Sequence, residues 1–416
     1  MALTVDKVRL GDATVGLRCE QGRIVALGVD VGPEPGDEVI DAAGLVLSPG
    51  LVNGHTHAAM TLFRGFGDDL PLMEWLRTRI WPAEGRLAPD DVYWGTRLAC
   101  IEMLRSGTLH FFDMYWHAEA AARAVRDSGL RGTLSGVIIN TGAGPESLRS
   151  QALATLDEVA DVGGRVRPCL GPHAIYTVER DDLAWVAQTA AERGVPVHIH
   201  VSETRREVED CIDAHGLRPV PYLDSLGLLG PGTLLAHGCW FEPAELATVA
   251  ERGATVVTNP VSNMKLATGR AFPYLDAVDH GVAMGLGTDG AASNNGLDLF
   301  QDMKVLSLLH KHTTDDPSVL PAADVLALAA GRRSPLLGGR PVAVGEPADF
   351  LLIDADLPEL GPGDLTANLV YAATGYCVDT AVVDGEVVMR GRRVPDQDEV
   401  LAECHARAAR LTEVDG

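Results

Sequence analysis

Pro49-Gly50-Leu51-Val52-Asn53-Gly54-His55-Thr56-His57 is the stretch on which the reading of the fold turns. Its short apolar run, 51–53, passes straight into two histidines at i and i+2. On extended backbone alternate side chains share a face, so both imidazoles can reach one point. Outward from there, similar runs recur at 109–113, 131–137, 166–171, 196–201, 233–237, 255–258 and 283–287. Helical patterns lie between most of them, as at 90–106, 118–128, 183–193 and 243–252. Eight strand-then-helix units predict an α/β fold, a closed (β/α)8 TIM-type barrel, for which about 250 residues is usual. A doubly wound open sheet is the competing reading, but no GxGxxG phosphate loop follows any run.

The two ends of the chain read differently. Strands at 15–19 and 23–27 flank Gln21-Gly22, and strands at 39–41 and 45–47 flank Ala43-Gly44. Near the other end an apolar strand at 350–354 precedes strands 380–383 and 386–389 around Asp384-Gly385, a strong hairpin signal. The expectation is a small β-sandwich domain built from both termini, residues 1–48 and 341–416, around a barrel at 49–340. An amphipathic helix at 396–412 closes the chain.

The 46% hydrophobic content is that of a packed globule and excludes disorder. With 58 acidic against 34 basic residues the formal charge is −24, a field that repels phosphates. Nucleic acid and anionic membrane surfaces are therefore excluded as partners, and the charge is read as serving solubility. No apolar run reaches the ~18 residues of a membrane span. The first ten residues carry Asp6, Lys7 and Arg9 and no signal-peptide core, and seven cysteines are scattered without a CxxC pair. A cytoplasmic protein is expected.

Polar groups gather where the barrel strands end, the side on which such barrels carry their sites. The fifth run ends His198-Ile199-His200-Val201-Ser202-Glu203, the sixth at His237, and the eighth at Gly287-Thr288-Asp289-Gly290. Of the fifth-strand pair, His200 lies nearer the mouth and is the third nitrogen ligand, while His198 is read as buried and structural. With His55, His57 and Asp289 this makes a three-His, one-Asp set with open positions for water. These strand-end motifs resemble those of aminohydrolases, and the chemistry that resemblance implies, release of ammonia from an aromatic C–NH₂ carbon, needs hydroxide at neutral pH, which a metal supplies by lowering its water's pKa to about 7. The ring nitrogen beside that carbon must gain a proton, and Glu203 is the acid placed to give it. His237 would hold the attacking hydroxide, and Asp289 would carry its proton to the leaving amine. The competing reading of Glu203 is an N-cap carboxylate for a helix at 204–215.

Residues 49–57, 198–203 and 287–295 resemble the amidohydrolase superfamily, and more narrowly its mononuclear aminohydrolase branch. That branch includes S-adenosylhomocysteine/5′-methylthioadenosine deaminases, 5′-deoxyadenosine deaminases and triazine hydrolases. The likeness extends to Met60-Thr61-Leu62-Phe63-Arg64-Gly65, Trp81-Pro82-Ala83-Glu84, Asp113-Met114-Tyr115 and Gly171-Pro172-His173. It implies one divalent metal, zinc with iron or manganese as alternatives, on His55, His57, His200 and Asp289, and a homo-oligomer. No lysine ends the fourth strand, which argues against a carbamylated-lysine binuclear centre.

The resemblance also implies that Glu84 and His173 contact the sugar hydroxyls and the nucleoside. Trp75, with Met60, Phe63, Phe66 and Leu70, is read either as a lid over the substrate or as core packing. The pattern is broken where the branch supplies arginines: none stands near 134–137, and Arg149, beyond Gly142-Ala143-Gly144-Pro145, is the candidate substrate contact although displaced by about one residue from the expected place. The implied activity is hydrolytic deamination of an adenosine-like nucleoside. The alternatives are an aminohydrolase of a triazine, guanine or other free heterocycle, and a catalytically silent scaffold barrel.

Overall fold

The structure is a computed structural model that describes residues 2–140, 142 and 144–413. Barrel strands form at Leu51–Thr56, Thr108–Tyr115, Arg131–Ile138, Val166–Pro168 with Gly171–Pro172, Val197–Val201, Thr233–His237, Thr255–Thr258 and Ala283–Leu286. They pair in parallel as two arcs, strands one to four and strands five to eight. Their residues are almost continuously buried, because helices cover one face and the barrel interior the other. Single bridges, Leu170 with Val197 and Ala174 with His200, join the arcs on one side. On the other side the Asp289 N–H donates to the His55 carbonyl at 3.0 Å, and Asn53 Nδ2 donates to Thr288 Oγ1 at 2.7 Å. The fold is the TIM-type barrel that the alternation predicts.

The second seam leaves no room for a side chain. A Cβ on Gly287 would lie 2.4 Å from Asn259 Oδ1 and 2.9 Å from the His55 nitrogen, both fixed by the barrel. Gly287→Ala is therefore expected to cost about 1–3 kcal/mol through overpacking. Calorimetry should show a lower unfolding midpoint, and an unchanged midpoint would mean the seam yields.

Both ends of the chain build one additional sheet. Its order is Glu386–Met389, Val378–Val383, Phe350–Asp354, Leu45–Pro49, Leu3–Leu10, Ala13–Glu20, Arg23–Gly28, with Glu38–Asp41 on the Leu3–Leu10 strand. The two layers of the expected sandwich are parts of this single eight-stranded sheet. The reason is Leu45–Pro49, which pairs antiparallel with Phe350–Asp354 and parallel with Leu3–Leu10, so the strands from the two ends are continuous. One face closes on a core of Leu3, Val5, Leu17, Ile24, Leu47, Phe350, Leu352 and Val382. The alternate residues Leu351 and Ile353 turn the other way and join the barrel core. The closing helix, Gln397–Thr412, packs on the barrel helix Pro89–Arg105, where Arg407 Nη1 reaches Asp91 Oδ1 at 3.0 Å. Among the described residues no helix is long and apolar enough to cross a membrane.

Candidate active site

The histidines of the first and fifth strands are aimed by backbone carbonyls. His57 Nδ1 lies 2.7 Å from the Met114 carbonyl, and His200 Nδ1 lies 2.7 Å from the carbonyl of His173. A carbonyl only accepts, so each Nδ1 carries a proton and each Nε2 points to the barrel axis. Those two Nε2 atoms stand 3.3 Å apart, and Asp289 Oδ1 is 3.1 Å from His57 Nε2 and 3.3 Å from His55 Nε2. His55 is anchored by its Nδ1, 2.7 Å from Nε2 of the buried His198. His55 Nε2 is fully buried and has no hydrogen-bond partner.

Supporting groups fix this cluster. Asp113 Oδ1 accepts from Thr56 Oγ1 at 2.8 Å and from the Ala58 N–H at 2.6 Å, which sets the turn that follows the first strand. Asp289 Oδ2 accepts from Ser262 Oγ at 2.7 Å and Ser293 Oγ at 2.8 Å, leaving Oδ1 for the histidines. Ser202, His237 and Asp289 all have left-handed backbone, with φ of 52°, 76° and 62°. Such conformations cost non-glycine residues about 1–3 kcal/mol each, and here they cluster at the strand ends where side chains converge.

The donor set fits a divalent cation. Candidate ligand atoms of His55, His57 and His200, and of His55, His237 and Asp289, lie within 4.8 Å of one another in two overlapping groups. Burial opposes a charge on His57, yet Asp289 beside it raises the imidazolium pKa to about 9. His55 is pushed down to about 4, chiefly by burial. The cluster thus draws one positive charge to its centre as bare side chains, and a metal cation carries the same sign. Nitrogen donors with one carboxylate suit zinc or iron better than magnesium or calcium.

The cluster forms the floor of a cavity that opens to solvent. Glu203, His237 and Asp289 line it together with His57 and His200. Glu203 is not the cap of its helix: the helix Arg205–His215 is capped by Thr204, whose side chain accepts from the Glu207 N–H. The Glu203 carboxyl is free to face the cavity, where burial above all raises its pKa. Burial would raise Asp289 as well, but the His55 and His57 rings beside it outweigh that and hold the group well below the usual carboxylate range. His237 Nδ1 lies 2.8 Å from Asn263 Oδ1, so its Nε2 faces the cluster with a lone pair.

Glu84, His173 and Trp75 line the same cavity. Glu84 Oε2 accepts from Trp116 Nε1 at 3.2 Å, and burial raises the Glu84 carboxyl. His173 is pushed down to about 3, first by burial, so its ring is neutral. Trp75 and Met60 face the cavity, whereas Phe63 is wholly buried in the core and Phe66 and Leu70 pack against that core. Arg149 is not brought to the site. Its Nε bonds Asp182 Oδ1 at 2.8 Å and its guanidinium lies 5.6 Å from the Trp185 ring centre. Ala143, in the loop before it, lies outside the described residues.

Several cavity residues had no signal in the sequence. A π-helical turn at Leu76–Ile80 separates the short helices Leu72–Trp75 and Trp81–Glu84. Its extra residue per turn lets Leu72, Trp75 and Leu76 share the cavity face with Trp81 and Glu84, a register that ordinary helical spacing does not give. Trp116 and Tyr176 also line the wall. No arginine or lysine lines the cavity among the described residues, and its carboxyl groups are Glu84, Glu203 and Asp289.

The amidohydrolase family model matches residues 46–388. The chain is 47% identical over 381 residues to a 5′-deoxyadenosine deaminase of Methanoregula boonei, covering 90% of this chain and 86% of the relative. It is 44% identical over 379 residues to a 5-methylthioadenosine/S-adenosylhomocysteine deaminase of Pelotomaculum thermopropionicum, covering 89% and 87%. A zinc-bound adenosine deaminase from Xanthomonas campestris superposes with a TM-score of 0.92 at 32% identity, covering 99% of this chain and 98% of that one. The fold is also that of a zinc-complexed atrazine chlorohydrolase from Arthrobacter aurescens TC1, with a TM-score of 0.87 at 22% identity over 98% and 100% of the two chains. The chain belongs to the amidohydrolase family of hydrolytic enzymes.

Proposed function

We propose that the chain is a metal-dependent hydrolytic deaminase of adenosine-like nucleosides whose 5′ substituent carries no charge. The observation that carries this reading is one cavity holding the His/Asp cluster and Glu203 at its floor, Glu84 and His173 on its wall, and no cationic side chain. The names of the relatives from Methanoregula boonei and Pelotomaculum thermopropionicum support the nucleoside class. The cavity wall refines it. The amino-acid tail of S-adenosylhomocysteine would bring a carboxylate into a space lined by three carboxyl groups and no arginine or lysine. A buried, unpaired charge of that kind costs several kcal/mol.

A divalent metal would be held by His55, His57, His200 and Asp289, and when bound it supplies a water of lowered pKa at neutral pH. The protein's own groups do the rest. The Glu203 carboxyl, whose pKa burial raises, donates to the ring nitrogen beside the amine-bearing carbon and makes that carbon electrophilic. His237, its Nδ1 committed to Asn263, turns Nε2 toward the attacking water and orients it. Asp289, ionised at the start, takes the water's proton and passes it to the departing amine. Glu84 accepts from the ribose hydroxyls, held in place by Trp116.

Glu84→Ala tests the nucleoside end. It is expected to raise KM for 5′-deoxyadenosine about 10- to 100-fold, the worth of hydrogen bonds to a charged group, with kcat nearly kept. Ammonia-release kinetics measure both constants. An unchanged KM would remove Glu84 from sugar binding.

A further inference from the structure

We infer that Glu207 is a positioning residue for Glu203: its carboxylate holds the turn that aims the acid into the cavity. The inference rests on the reading of Glu203 as the proton donor. Thr204-Arg205-Arg206-Glu207 has the spacing of a capping box, in which the fourth side chain normally returns to the N–H of the first residue. Two other helices of this chain follow that rule. Asp91 Oδ2 accepts from the Ala88 N–H at 2.9 Å, and Glu245 Oε2 accepts from the Glu242 N–H at 3.0 Å.

Glu207 departs from it. Only the Thr204 half of the box forms, with Thr204 Oγ1 accepting the Glu207 N–H at 3.2 Å. The carboxylate reaches further back, and its two oxygens divide between two amides: Ser202 N–H at 2.7 Å and Glu203 N–H at 2.8 Å. Consecutive amides converge on one anion where the chain passes through a left-handed residue, here Ser202 with φ 52°. The carbonyl side of the turn is held from the neighbouring strand end, where Gly238 N–H donates to Val201 O at 3.1 Å and Trp240 N–H to Ser202 O at 2.9 Å. Glu207 is itself buried on the far side of the turn and does not line the cavity. The turn is thus fixed from both sides between ligand His200 and acid Glu203. A side chain whose ordinary task is to start a helix is committed to the two amides, of Ser202 and Glu203, that set where the acid points.

A helix cap and a positioning group make different predictions. Metal content, thermal midpoint and ammonia-release kinetics with 5′-deoxyadenosine are measured for Glu207→Gln, Thr204→Ala, Glu203→Gln and the Glu203→Gln/Glu207→Gln pair. Gln offers one acceptor oxygen to two amides, so Glu207→Gln is expected to keep metal, to keep KM within about threefold and to lose kcat about 10²-fold, as a misaimed acid would. Thr204→Ala, which removes only the cap, lowers the midpoint and keeps kcat. The double variant is no slower than Glu203→Gln alone, because Glu207 acts only through that residue. If Glu207→Gln fails to fold, Glu207→Asp, which keeps the charge but not the reach, is expected to show the same kcat loss. Wild-type kcat in the Glu207 variant that folds, or a double variant whose loss is the product of the single losses, overturns the inference. Full turnover in Glu203→Gln would instead overturn the reading of Glu203 as the acid.

Discussion

Glu203→Gln should leave a folded, metal-replete protein that has lost about 10²–10⁴-fold in kcat, the usual worth of a positioned general acid. The substitution keeps the shape of a buried carboxyl whose pKa burial raises. A neutral amide of the same shape replaces the acid. The amide can still hydrogen-bond the ring nitrogen, so KM should move little, but it has no proton to transfer. The helix start should survive as well, since Thr204 and not Glu203 caps it. Parallel measurement of metal content and turnover separates the outcomes. Turnover near wild type would show that the ring is protonated by another group, and loss of metal together with turnover would show that Glu203 shapes the cluster itself.

His200→Ala should strip the metal and reduce ammonia release to background. The Nε2 of His200 faces that of His57 because the His173 carbonyl fixes its other nitrogen. The remaining histidines keep their anchors: His57 on Met114 and His55 on His198. The variant should therefore fold but respond differently to chelator. Wild-type protein gains stability from a cation that binds only the folded cluster, so its unfolding midpoint should fall on chelation, whereas that of His200→Ala should not move. Full metal occupancy in the variant, by elemental analysis, would contradict the ligand assignment.

Much of this site was legible because strands put alternate residues on one face. His55 with His57, His200 and Asp289 could be placed at strand ends from short apolar runs alone, and the structure gathers them within ligand reach. His198 could be set apart from His200 because it lies further from the mouth, and it stands behind His55. Position on a strand says nothing of partners distant in sequence, however. Arg149 had been read toward the substrate and is instead taken by Asp182. Ser262 and Ser293, which fix Asp289, stand at positions whose spacing carries no sign of that contact. Glu84 came only through the family resemblance, since the π-helical turn that brings it round is invisible to a pattern of period 3.6. The first strand, Leu3–Leu10, escaped notice as an element because its pairing slips between Val5 and Val8, where Lys7 adopts φ 58° and the alternation breaks. The continuity of the terminal sheet was hidden for another reason: one strand, Leu45–Pro49, must find two partners that no local signal joins.

The most direct test of the central claim is ammonia release by the zinc-loaded protein, measured side by side for 5′-deoxyadenosine, 5′-methylthioadenosine, S-adenosylhomocysteine, guanine and melamine. The expected result is turnover of the two neutral 5′-modified nucleosides, with kcat/KM for S-adenosylhomocysteine at least about tenfold lower because its carboxylate meets no cation in the cavity. Silence on every nucleoside with release from a free heterocycle would contradict the account, and would leave Glu84 and His173 as cavity walls without a sugar to hold.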